Sequence, residues 1–210
     1  MTRISGLPLF PLGVVLYPGE RLPLYIFEPR YKAMVQYCLE RDVPFGVVLF
    51  NEDRMERVGC TARIERVVKR YDDGRMEIVV AGEQRFRVLR LDQEAPYLRA
   101  EVELLDEPDV DADVALRERA ITQHMKLLEL AGRTMRPSLY QDVPHVSYVL
   151  AQNAGLPLEQ KQALLEMPGE NERIAFLIAH FEALIPRVEQ MEELRRRIQS
   201  NGHFKDFPPE

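Results

Sequence analysis

The side chains of this sequence that could make or break covalent bonds are few and scattered. Its four serines are Ser5, Ser138, Ser147 and Ser200, and none sits in the GxSxG turn that presents a nucleophile. Ser147 lies two residues from His145, and on one helix such a pair points apart, so no proton relay is expected. The five lysines, at 32, 69, 126, 161 and 205, follow no glycine-rich loop of the kind that cradles nucleotide phosphates. His124, His145, His180 and His203 form no HExxH pair, and His180 is again two residues from its nearest acid, Glu182. Cys38 and Cys60 make no CxxC motif and fall at predicted apolar positions, where a thiol packs like a small hydrophobe. No catalytic residue, no metal-ligand set and no cofactor are therefore expected, and the chain is not read as an enzyme.

What remains is recognition chemistry. Phe10, Tyr17, Tyr25, Phe27 and Tyr31 crowd the first stretch of chain among prolines. Prolines restrict the backbone and can hold aromatic rings at a surface, as a polypeptide-binding groove requires. Glu28 and Arg30 flank this cluster and could orient a ligand. Against this stands the reading in which the rings fill a core and Glu28 merely favours a helix start. Met125, Met135 and Met191 could form an adaptable contact face, with core packing the competing reading. Arginines gather at Arg63, Arg66 and Arg70 beside Lys69, at Arg85, Arg87 and Arg90, and at Arg195, Arg196 and Arg197. A net charge of -6 and a pI near 5.4 count against binding along a phosphate backbone. The favoured reading is a solvated strand face and cations suited to a helix C-terminus.

The elements that must hold these residues change character near residue 106. Before it, apolar residues recur mostly at strand period; after it, at helical spacing. Leu7 to Val15 and Leu22 to Ile26 read as extended segments, with Tyr17 to Glu20 a turn between them. Pro29 opens a helix, because its missing N–H is no loss at the first helical position. Tyr31, Met34, Val35, Cys38 and Leu39 form its buried stripe, and Asp42-Val43-Pro44 stops it. Phe45 to Phe50 reads as a strand covered on both faces. Cys60, Ala62 and Ile64 alternate until Val67 breaks the phase, which predicts a bulge near Glu65 or Arg66. Asp73-Gly74 predicts a hairpin with positive φ at both positions, before strands over Met76 to Val80, Arg85 to Leu91 and Leu98 to Leu105. Six or more short strands with one helix imply a strongly curved sheet or a small pseudo-barrel.

Four helices are expected next: one capped by Asp113 and ended by Gly132, one over Val143 to Ala154, one begun by Pro157, and a long one over Asn171 to Gln199. Pro186 should kink or divide the last. The expected division is a strand-rich lobe over 1–106 and a helical lobe over 107–210. With 210 residues and 46% hydrophobic content, the chain can bury a substantial core. Two cysteines suggest a reduced, cytoplasmic setting, and neither a signal peptide nor a membrane span is read.

Several segments resemble the N-terminal substrate-binding domain of Lon proteases. They are the opening run Leu7 to Gly19, the stretch Leu22 to Tyr31, and Val58-Gly59-Cys60-Thr61-Ala62-Arg63-Ile64. Asp73-Gly74, Val80 to Val88, Gln162 to Glu166 and Glu172-Arg173 continue the match, and the spacing is shared from about Leu7 to Ile198. The resemblance, closest to short stand-alone members, implies an α+β fold: an N-terminal PUA-like β pseudo-barrel lobe, then a C-terminal helical bundle ending in a long helix. It also implies a non-catalytic module that binds unfolded or partner polypeptides, by itself or with a protease complex, and lacks ATPase and peptidase parts. The expected contact residues are Phe10, Tyr17, Tyr25, Phe27, Glu28, Arg30 and Tyr31. Two alternatives stand beside it, an RNA-binding PUA-like protein and a small hydrolase with an unrecognised site; self-association stays open.

Overall fold

The computed structural model of the chain describes residues 2–92, 96–107, 112–133, 136–141 and 143–201. It forms two compact units, one of Met1–Val110 with Leu156–Gly169, the other of Asp111–Gly155 with Glu170–Glu210. Part of the expected boundary, Pro108 to Asp111, lies outside the described residues, as do Met135 and His203.

The first unit carries six strands: β1 (Arg3–Leu12), β2 (Arg21–Ile26), β3 (Phe45–Asn51), β4 (Arg54–Arg70), β5 (Met76–Asp92) and β6 (Arg99–Leu104). The sheet order is β2-β5-β4-β3-β1-β6, and β6 also pairs with β5. That last pairing closes the strands into a ring, a pseudo-barrel in which β5 is shared among β2, β4 and β6. Helix α1 (Pro29–Arg41) turns Tyr31, Met34, Val35 and Cys38 inward, as its stripe predicts. Those residues join Phe10, Phe45, Val47, Cys60 and Ile78 in one core, while Leu9, Val48, Phe86, Val88 and Val102 build a second. Adjacent residues Val47 and Val48 thus feed different cores, which is why β3 is apolar without alternation.

The predicted bulge is present, with a register shift between Ile64 and Arg66. The two strands expected at Met76 and Arg85 are one continuous strand, β5. At the hairpin only Gly74 has positive φ, 81°. The Gly74 amide donates to the Tyr71 carbonyl and the Tyr71 amide to the Arg75 carbonyl, so a three-residue loop needs a single left-handed position. Glycine has a different task at Gly82. A Cβ there would lie 2.2 Å from the Tyr17 carbonyl oxygen, so only glycine lets the Tyr17 to Glu20 turn approach β5.

Helix α4 (Leu158–Glu166) lies among helices in sequence but groups with the sheet. Three buried side chains, Gln162, Tyr17 and Arg85, hold it there. Gln162 donates to the Val58 carbonyl at 3.1 Å, and the Tyr17 hydroxyl to the Lys161 carbonyl at 3.0 Å. Arg85, 2% exposed, donates to the Leu165 and Met167 carbonyls, both at 2.9 Å, and to Glu107 at 2.6 Å. The guanidinium satisfies carbonyls that the helix end leaves without an intrahelical partner.

The second unit holds α2 (Val114–Leu130), a short 3-10 turn (Pro137–Tyr140), α3 (Val146–Gln152) and α5 (Glu170–Asn201). Asp113 caps α2 by accepting from the Ala115 and Leu116 amides. Helix α5 is not divided at Pro186. The proline is exposed, as is Glu182 one turn back, whose carbonyl it leaves without a helical N–H. His124 is fully buried, its Nδ1 2.9 Å from the Tyr140 hydroxyl. Burial lowers its pKa to about 4, outweighing an opposing hydrogen bond with the Asn153 backbone.

The unfolded chain takes up this proton near pH 6.5 and the folded one only near 4. Stability is therefore complete above pH 6.5 and is lost as pH falls through that window, by roughly 3 kcal/mol. Urea titrations of the helical signal at pH 7 and pH 4.5 should show this loss, and His124→Gln should flatten it. An equal slope in the variant would assign the acid sensitivity to other groups.

Candidate functional site

A groove of about 500 Å³ opens on the first unit. Its floor is Phe10 from β1 and Tyr31 from α1, with ring centroids 4.1 Å apart. The end of β2, Leu24 to Ile26, continued by Phe27 and Glu28, lines it, as do Pro11 and Leu12 of β1. Phe50 and Met55, cross-strand partners in the β3–β4 hairpin, and Leu98 complete it. Three of these rings are left in solvent: Tyr25 is 45%, Phe27 57% and Phe50 43% exposed. Tyr25 and Phe27 stack at 5.9 Å, and Arg75 donates to the Tyr25 hydroxyl at 2.6 Å. The three exposed rings thus share one concave surface rather than being scattered singly.

The charged lining residues are Glu28 and Arg30. Arg30 pairs with Glu28 at 2.8 Å and lies over the Tyr31 ring at 4.6 Å. Both partners are partly exposed, so the pair adds little stability and stays available to a ligand's main chain. Pro29 opens α1 here, so the first turn of the helix supplies Arg30 and Tyr31 to the groove.

Six of the seven residues singled out from sequence line this groove: Phe10, Tyr25, Phe27, Glu28, Arg30 and Tyr31. Tyr17 does not. It is 1% exposed and anchored to the Lys161 carbonyl, and burial pushes its hydroxyl pKa far up. Phe50 and Met55 were not anticipated. The apolar run ending at Phe50 reads as buried, and Glu52 and Asp53 turn the chain with positive φ of 47° and 66° without the usual glycine or asparagine.

The other reactive groups are occupied elsewhere. Ser147 and His145 each approach Glu170 rather than forming a pair of their own, and His145 precedes α3 rather than lying within it. Ser147 Oγ donates to Glu170 at 2.6 Å and accepts from Arg173 Nε at 2.9 Å, and His145 Nδ1 is 3.7 Å from Glu170. Ser147, Glu170 and Arg173 are buried, so this network fixes α3 against α5 and meets no substrate. His180 Nε2 donates to the Ala154 carbonyl. Cys38 and Cys60 are free and buried; burial pushes the Cys38 thiol up to about 11 and Cys60 higher still. Among the described residues no three His, Cys, Asp or Glu side chains gather to hold a metal, and no helix is long and apolar enough to cross a membrane.

The structure thus has an aromatic-lined groove on a β pseudo-barrel unit, and a helical bundle ending in a long helix. Residues 6–182 match the model of the ATP-dependent protease La (LON) substrate-binding domain, and the chain belongs to that family. It is 27% identical to Lon protease of Cytophaga hutchinsonii over 95% of this chain and 26% of that protein. With Lon protease 2 of Myxococcus xanthus it shares 28% identity over 92% of this chain and 25% of that one. The chain thus spans about a quarter of the length of these relatives. The Lon N-terminal domain protein from Xanthomonas campestris has the same fold, at TM-score 0.69 and 29% identity, over 84% of this chain and 98% of that one. The N-terminal domain of Mycobacterium avium complex Lon protease shares the fold at TM-score 0.62 and 22% identity, over 85% and 98%.

Proposed function

We propose that the domain binds unfolded polypeptide in the groove formed by Phe10, Tyr25, Phe27, Tyr31 and Phe50, and presents it to a protease. The observation that carries this reading is the convergence of three solvent-exposed aromatic rings on one apolar groove walled by strands. The family supports it, since its model is that of a substrate-binding domain and the relatives that match are Lon proteases. Two free, buried thiols fit a reducing, cytoplasmic setting.

The RNA-binding alternative has less support. Arg63 is engaged by Glu83 and Asp42, Arg21 by Glu65, and Arg85 is buried, which breaks up the basic strand faces. The test is a titration of a fluorescein-labelled, reduced and carboxymethylated protein with the domain, followed by anisotropy. Saturation is expected with Kd on the order of 10 μM, about -7 kcal/mol. Tyr25→Ser with Phe27→Ser should weaken it at least about tenfold, since two exposed aromatic anchors are removed. Unchanged affinity in a folded double variant would move the site elsewhere. Binding of single-stranded RNA, lost in Arg66→Glu with Arg70→Glu, would favour the alternative.

A further inference from the structure

We propose that the groove takes its ligand as an added β-strand, hydrogen-bonded to the open edge of β2, with alternate apolar side chains directed at the aromatic rings. This rests on the peptide-binding reading above and adds the conformation and pairing of the bound chain. It selects for extended, apolar-alternating segments over helices.

Strand β2 pairs residue by residue with β5, from Arg21 opposite Ala81 to Ile26 opposite Met76, and with no other strand among the described residues. Its second edge therefore carries main-chain groups without a strand partner. Pro23 indicates which groups these are. A proline has no N–H for the ladder and is accommodated where its nitrogen faces the open side. Main-chain groups two residues apart point the same way, so the Tyr25 N–H and C=O also face that side. Tyr25 lines the groove together with its β2 neighbours Leu24 and Ile26, and of the three it is the one whose main-chain groups face the open side.

The β1 part of the lining is the poorer template. The Leu9 amide of β1 donates to the Leu98 carbonyl at 2.8 Å, which defines the edge of β1 facing away from β3. Two residues on, Pro11 offers that edge no donor. Pairing of β1 with β6 ends at Pro8 opposite Arg99, whereas Leu9 to Leu12 pair with β3 on the other side. Phe10 to Leu12 thus bound the groove without competing for the ligand's backbone.

Side-chain spacing agrees. Alternate residues of a strand lie about 6.5–7 Å apart on one face. Tyr25 and Phe27 are themselves alternate residues with ring centroids 5.9 Å apart, so a strand alongside β2 meets one ring with each inward side chain. The edge is only six residues long and carries Pro23, which limits pairing between copies of the domain while leaving the Tyr25 groups to a ligand.

The experiment uses an acetylated, amidated peptide of alternating phenylalanine and serine flanked by lysines, with two analogues N-methylated at every second amide in opposite phases. Strand addition predicts that one phase loses about tenfold or more in affinity for the 210-residue chain while the other stays within about twofold. Equal behaviour of the two phases, both binding or both failing, would overturn strand addition. So would failure of the parent peptide where the carboxymethylated protein still binds. If neither probe binds the domain, the peptide-binding reading itself is wrong.

Discussion

Arg85→Ala should lower the unfolding free energy of the sheet unit by about 3–5 kcal/mol, the cost of breaking a buried charge-assisted cluster by removing one partner. Arg85 sits 2% exposed on β5 and donates at once to Glu107 and to two carbonyls at the end of α4. Its loss leaves a carboxylate and a helix end without these bonds. Arg85→Lys should recover only part of the loss, because an ammonium cannot span three acceptors with the planar fork of a guanidinium. With a urea m-value of about 2 kcal/mol/M, the midpoint should fall by roughly 1.5–2.5 M. A shift below about 0.5 M would mean that α4 is held by its apolar contacts and that this cluster is incidental.

Gly82→Ala should cost about 3 kcal/mol, more than any other glycine-to-alanine change at the turn it supports. The added methyl group would meet the Tyr17 carbonyl oxygen at 2.2 Å and carbon at 3.0 Å, and no rotamer relieves a clash with backbone. The turn would have to lift, straining two hydrogen bonds, from the Gly19 amide to the Gly82 carbonyl and from the Gly82 amide to the Glu20 carbonyl. Gly19→Ala is the matched control. Its φ of 77° makes a side chain unfavourable by about 1 kcal/mol, yet nothing lies within 4 Å of the position. Urea midpoints of the two variants should therefore separate clearly; equal midpoints would show that the turn moves freely from β5.

The parts of the fold legible in sequence are those decided by local periodicity. The α1 stripe, the continuous apolar run of β3, the Ile64 to Val67 phase break and the Asp113 cap each depend on neighbours within a few residues. The parts that were not legible depend on partners far away in the chain. Arg85 in a strand of alternating residues reads as a solvated cation, because its carbonyl partners lie 80 and 82 residues later. Helix α4 carries an ordinary helical pattern, and only its partners Val58, Tyr17 and Arg85 place it with the sheet. Tyr17 and Tyr25 stand in similar proline-flanked surroundings, yet one anchors α4 and the other lines the groove. The groove's third exposed ring, Phe50, was hidden by a turn at Glu52 and Asp53 that has no glycine to announce it.

The central claim is that unfolded chain is captured at the end of β2, and photo-crosslinking tests it most directly. Benzoylphenylalanine placed at Phe27, 57% exposed in the groove, and separately at Val68, 56% exposed on β4 outside it, gives two probes of equal accessibility. Irradiation with a carboxymethylated protein should yield adducts from position 27 that excess unlabelled ligand suppresses, and only background from position 68. Equal adducts from both positions, or adducts from 68 alone, would contradict the account.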